Sequence, residues 1–140
     1  MKNLTELAPL VVDRLRRAEE TLTDAQLLLH HGGSPMSVIN RSYYAMFYAT
    51  QALMVKREIV ASKHSGVIAQ FDQEFVKTGV FDKTMSRALH RAFDFRQISD
   101  YREMFEITQQ QAEDIFHDAK RFVYSILVYF DVTHSDLRDT

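Results

Sequence analysis

The chain has 140 residues, 46% hydrophobic and 26% charged, enough for one globular domain that buries a core without disulfides or a structural metal. Four Gly and two Pro are too few for a β protein with a tight turn between every pair of strands, and the lack of Cys excludes a disulfide framework and thiol chemistry. A net charge of −2 argues against a surface built for bulk nucleic-acid binding, while leaving room for a local basic patch.

The first periodic segment is Val11, Leu15, Ala18, Leu22, Ala25 and Leu29, a single apolar seam on a long helix. Pro9 suits its first turn and Gly32-Gly33 its end. The preceding segment turns charged before an apolar signal region could finish, so no secretory leader is expected, and no apolar run approaches a membrane span. With no Cys, a reducing, cytoplasmic setting is expected.

Ser34 and Pro35 then form a helix start. Val38, Ser42, Ala45, Met46, Ala49 and Leu53 make one apolar-to-small face, and Tyr44, Phe47 and Tyr48 occupy much of the rest. A helix apolar and aromatic on most sides is covered on most sides, by neighbouring helices or by a second subunit.

A shorter helix follows, with Val67 or Ile68, Phe71 and Phe75 at helical spacing and Gly79 as its stop. Asp82 caps the next, where Met85, Ala88, Leu89, Ala92, Phe95, Arg96 and Ser99 share a face. Thr108 to Gln111 matches a capping box and opens a last long helix with a wide face of Ala112, Ile115, Phe116, Ala119, Phe122, Val123, Ile126 and Leu127. The fold class is therefore all-α: an up-and-down antiparallel four-helix bundle with an additional short helix. It forms one domain over 1–140, with its core at about 10–130 and a polar tail, 131–140, expected to fray.

Most chemistry-bearing patterns are missing. A di-iron bundle needs Glu-x-x-His on two helices, and the nearest match is a single Asp114 with His117, so no metal and no cofactor are expected. No nucleophile elbow, phosphate-cradling Gly-rich loop or Walker pattern is present.

Arg96 is the exception, a permanent charge on the arc of Leu89, Ala92 and Ser99. Asp100, one turn on, is placed to pair with it, which would offset part of the desolvation cost. Either the two form a register-fixing ion pair, or Arg96 lines a cleft and meets an anion, phosphate being the best match for its planar donor fork.

The segments NRSYYAMFYATQAL, SKHSGVIAQFDQEFVKTG and FRQISDY, in this order and spacing, resemble the HEPN domain family over roughly Val11 to Val128. The likeness is to its free-standing members, whose genes often neighbour a minimal nucleotidyltransferase. It implies a four-helix core paired as a homodimer. In many members an Arg-x(4–6)-His motif faces its symmetry mate and forms a metal-independent RNA-cleaving site. Other members act as the nucleotidyltransferase's partner in toxin–antitoxin pairs, or bind RNA or nucleotides.

Arg96 matches the motif's Arg, but the His should fall at Tyr101, Arg102 or Glu103, and none is His. Without that imidazole the motif has no group of near-neutral pKa to take a proton from a ribose 2′-hydroxyl. The resemblance leaves Asp100, Tyr101 and His64 as candidate catalytic partners of Arg96, and Arg96, Arg41 and Tyr44 as candidate RNA or nucleotide contacts. Three functions stay open: an interaction module for a nucleotidyltransferase that also holds RNA or nucleotide, a metal-independent RNase toxin, and a structural helical dimer.

Overall fold

The computed structural model describes residues 4–98 and 106–138. A 3-10 turn, Leu4–Glu6, precedes six helices among these residues: α1 (Pro9–His30), α2 (Pro35–Arg57), α3 (His64–Phe71), α4 (Lys83–Ile98), α5 (Gln109–Tyr129) and α6 (His134–Arg138). A π-helical turn, Asp72–Val76, continues α3, and no strand occurs among the described residues. The all-α class is therefore as the periodicity predicts.

α2 is the central helix, packed against α1, α5 and α4. Its apolar-to-small face explains why: Val38, Ala45, Met46, Ala49 and Leu53 are fully buried, and Ala at two of these positions lets neighbouring helices approach closely. The seam of α1 is buried from Val11 to Ala25, and all eight apolar residues predicted for α5 are buried. Met85, Ala88, Leu89 and Ala92 are the buried residues of α4.

Local chemistry sets the boundaries. Pro9 stands at the start of α1, and the Oγ of Ser34 accepts from Ser37 N at 3.2 Å to cap α2. Gly32 supplies the left-handed φ of +79° after α1. Asp82 accepts the Thr84 N–H at 2.8 Å ahead of α4. The capping box of α5 is complete: Gln111 N donates to Thr108 Oγ1 (3.1 Å) and Thr108 N to Gln111 Oε1 (2.9 Å).

Two features depart from the sequence reading. The helix expected to run to Gly79 instead opens into the π turn, where Lys77 N donates to Asp72 O at 2.8 Å across five residues. The turn is tied to α4 through Asp72, whose carboxylate accepts from Ser86 Oγ and His90 Nε2, each at 2.6 Å. The second departure is the tail expected to fray. Residues 134–138 form α6, which packs on α1, burying Val132 and Leu137 and pairing His134 with Glu19. Two apolar side chains in a polar stretch suffice to anchor five residues when the long α1 offers a surface beside them.

Candidate functional site

The middle of α2 carries NRSYY, and the structure brings two distant segments onto it. Tyr43 lies fourteen residues before Arg57, the end of α2, or about 21 Å along the helix axis. Glu58 closes α2 in the left-handed conformation, with φ +57°. The six-residue link 58–63, which can reach about 20 Å when extended, then carries the chain back to start α3. His64 is the first residue of α3, and this return path places it on Tyr43, Tyr44 and Phe47.

The imidazole stacks on Phe47 with ring centroids 4.2 Å apart and planes 10° from parallel. Its Nδ1 lies 2.7 Å from Tyr43 Oη. From the other side comes the last turn of α4. Phe93 packs on the Tyr43 ring at 5.8 Å, and one turn later the Arg96 Cζ stands 5.5 Å from the Tyr43 centroid and 5.3 Å from that of Tyr44. Arg41, one turn before Tyr44 on α2, places its own Cζ 5.3 Å from the same ring. Its guanidinium is steered by Asn40, whose Oδ1 accepts from Nη2 at 2.9 Å. Tyr44 thus has two guanidiniums on its ring, an arrangement favoured by cation–π attraction of about 0.5–2 kcal/mol each.

The electrostatics follow from these positions. Tyr43 is fully buried, and burial pushes its phenol far above the ordinary tyrosine range, against a smaller downward pull from Arg96. His64 is only partly buried; burial first and the Arg96 charge second hold its imidazole below the ordinary 6.5. It also sits at a helix N-terminus, where the dipole disfavours a cation, whereas Arg96 sits in the last turn of α4, where the dipole favours one. The site therefore presents a fixed cation, a neutral imidazole, and half-buried aromatic surface on Tyr44.

Of the residues expected to form the site, Arg96, His64, Arg41 and Tyr44 come together around one ring system. Asp100 and Tyr101 lie outside the described residues, and with them the Arg96–Asp100 pair. Tyr43 is the member that sequence reasoning missed. The signal was a tyrosine on the buried side of a helix, whose hydroxyl needs a hydrogen-bond partner. Among the described residues no three His, Asp or Glu side chains converge as a metal would require.

An all-α bundle is the architecture that the HEPN resemblance implies. The HEPN domain family matches residues 11–127. A UPF0332 protein of Thermotoga maritima is 41% identical over 79% of this chain and 83% of its own length. Two proteins of Methanocaldococcus jannaschii, named "Putative toxin MJ0142" and "Putative toxin MJ0605", are 34% and 31% identical, over 78% and 76% of this chain and 74% and 78% of theirs. The chain belongs to the HEPN domain family.

Proposed function

We propose that this HEPN protein is a dimeric interaction module of a toxin–antitoxin-like system, pairing with a minimal nucleotidyltransferase and holding RNA or a nucleotide phosphate at Arg96 without cleaving it. The observation that carries the binding part is the convergence of Arg96, Arg41 and His64 on Tyr44. Guanidiniums suit phosphate oxygens, and aromatic side chains beside them suit a nucleobase. The toxin names of the two archaeal relatives support the system-level reading. The nucleotidyltransferase and the homodimer rest on the family resemblance alone. No helix among the described residues is long and apolar enough to cross a membrane.

The second reading is a metal-independent RNase. It is favoured by one observation: His64, remote in sequence, lies in the same cluster as Arg96, both against the Tyr43 ring. Stabilisation of a phosphorane by Arg96 would supply several kcal/mol of such a mechanism. One assay separates the two. Wild type, Arg96→Ala and His64→Ala are incubated with labelled single-stranded RNA, read by both binding and product formation, and expressed to test growth. Binding without cleavage or growth arrest supports the module; cleavage lost in both variants supports the RNase. Co-purification with a minimal nucleotidyltransferase tests the partnership.

A further inference from the structure

We infer that Tyr43 is a positioning residue that holds His64 as a neutral Nε2–H imidazole, so that it stands beside Arg96 as a second hydrogen-bond donor to phosphate and not as a general base. This rests on the phosphate-holding reading above and assigns the role of a residue that the family motif does not contain.

The hydroxyl of Tyr43 is out of reach of water, and its hydrogen-bond partner is His64 Nδ1 at 2.7 Å. A buried phenol must give its proton to an acceptor, so Tyr43 donates and Nδ1 accepts. If Nδ1 instead carried the proton, it would donate to Tyr43 Oη and leave the phenolic hydrogen without an acceptor among the described residues. A neutral imidazole that accepts at Nδ1 carries its hydrogen at Nε2, on the opposite edge of the ring.

Protonating Nδ1 would take away the acceptor of the Tyr43 hydroxyl. The surroundings oppose it as well. Among the described residues, the titratable and charged groups facing His64 are Tyr43 and Tyr44 from α2 and Arg96 from α4, and none of these is an anion that would reward an imidazolium. The stacked Phe47 face and the start of α3 act the same way. A donor N–H beside a guanidinium fits the oxygens of one phosphate. The same Nε2, already protonated, has no lone pair with which to accept a proton from a ribose 2′-hydroxyl.

The test uses the full chain with isotope-labelled histidine and long-range proton–nitrogen NMR, which reads the tautomer of each ring. His64 is expected to be protonated at Nε2 and bare at Nδ1 at pH 7. Tyr43→Phe, which keeps the ring and removes the hydroxyl, should return a mixture of both tautomers. Inorganic phosphate should shift the His64 Nε2 resonance in wild type and not in Arg96→Ala. Binding of single-stranded RNA should fall several-fold in His64→Ala and be largely kept in His64→Gln, whose amide donates but is no base. An Nδ1-protonated ring, an imidazolium at pH 7, or a tautomer unaffected by Tyr43→Phe overturns the assignment. A phosphate titration that leaves Nε2 unmoved, or His64→Gln as weak as His64→Ala, overturns the donor role. The tautomer is read without ligand, so loss of RNA binding with the Nε2–H form intact would overturn the proposed function and leave the Tyr43 assignment standing.

Discussion

Arg96 carries a charge on the inner side of α4, and two tyrosine rings receive it. Truncation to Ala should therefore act on both binding and stability. Loss of a charge-assisted contact to phosphate is expected to weaken RNA binding by tenfold or more, the equivalent of about 1.4 kcal/mol. Loss of the cation–π contacts should cost about 1 kcal/mol of unfolding free energy in urea. Arg96→Lys should recover the second effect better than the first, since a point charge over a ring survives where a bidentate fork does not. His64 sets a pH dependence whose sign is fixed. Its folded pKa lies below the ordinary 6.5, so the unfolded chain binds the proton more readily. The stability it contributes is complete above pH 6.5 and is lost as pH falls through the lower folded value. Urea midpoints between pH 7.5 and 5 should fall in wild type and fall less steeply in His64→Gln; parallel slopes would refute the assignment. Arg96 was legible in the sequence as a charge out of pattern. His64 was its candidate partner through the resemblance, but the placement of the two was not legible, because 32 residues and a chain reversal separate them and no periodicity reports on a link's path.

At the scale of elements, α2 concentrates both packing and chemistry. Its residue Ser42 is fully buried, and its Oγ has no hydrogen-bond partner. A desolvated hydroxyl without a partner costs about 1–3 kcal/mol, and Ala is the better helix former. Ser42→Ala is therefore expected to raise the thermal midpoint; a drop of several degrees would show that the hydroxyl is bonded in solution. The α5 capping box gives the opposite case. Thr108→Ala removes the acceptor for Gln111 N and should cost about 1 kcal/mol, seen as a lower urea midpoint with an unchanged slope. Caps, the seam of α1 and the wide face of α5 were all readable, because each is written within a few residues along one helix. The π turn was not. Its extra residue per turn is fixed by Ser86 and His90 holding Asp72 from another helix, an interaction between elements that a local pattern does not contain.

At the scale of the whole molecule, four helices form the bundle while α3 and α6 are small clamps on it. α6 locks onto α1 with Leu137, and Val132 is buried just before it, each worth about 1.5–3 kcal/mol when buried. Removing residues 132–140 should lower the thermal midpoint by several degrees without changing helix content much beyond the deleted turn; an unchanged midpoint by calorimetry would mean that α6 is only resting there. The bundle class was legible because helix length, seam and connection length all pointed the same way, whereas the docking of α6 depends on a surface of α1 that only the folded chain presents. The central claim joins these scales: the fold brings Arg41, Tyr44, His64 and Arg96 together to hold RNA phosphate. Fluorescence anisotropy of a labelled single-stranded RNA, titrated with wild type and with Arg96→Ala at one salt concentration, tests it most directly. The account predicts saturable binding by wild type and at least tenfold weaker binding by the variant; equal affinity of the two, or no binding by either, would contradict it.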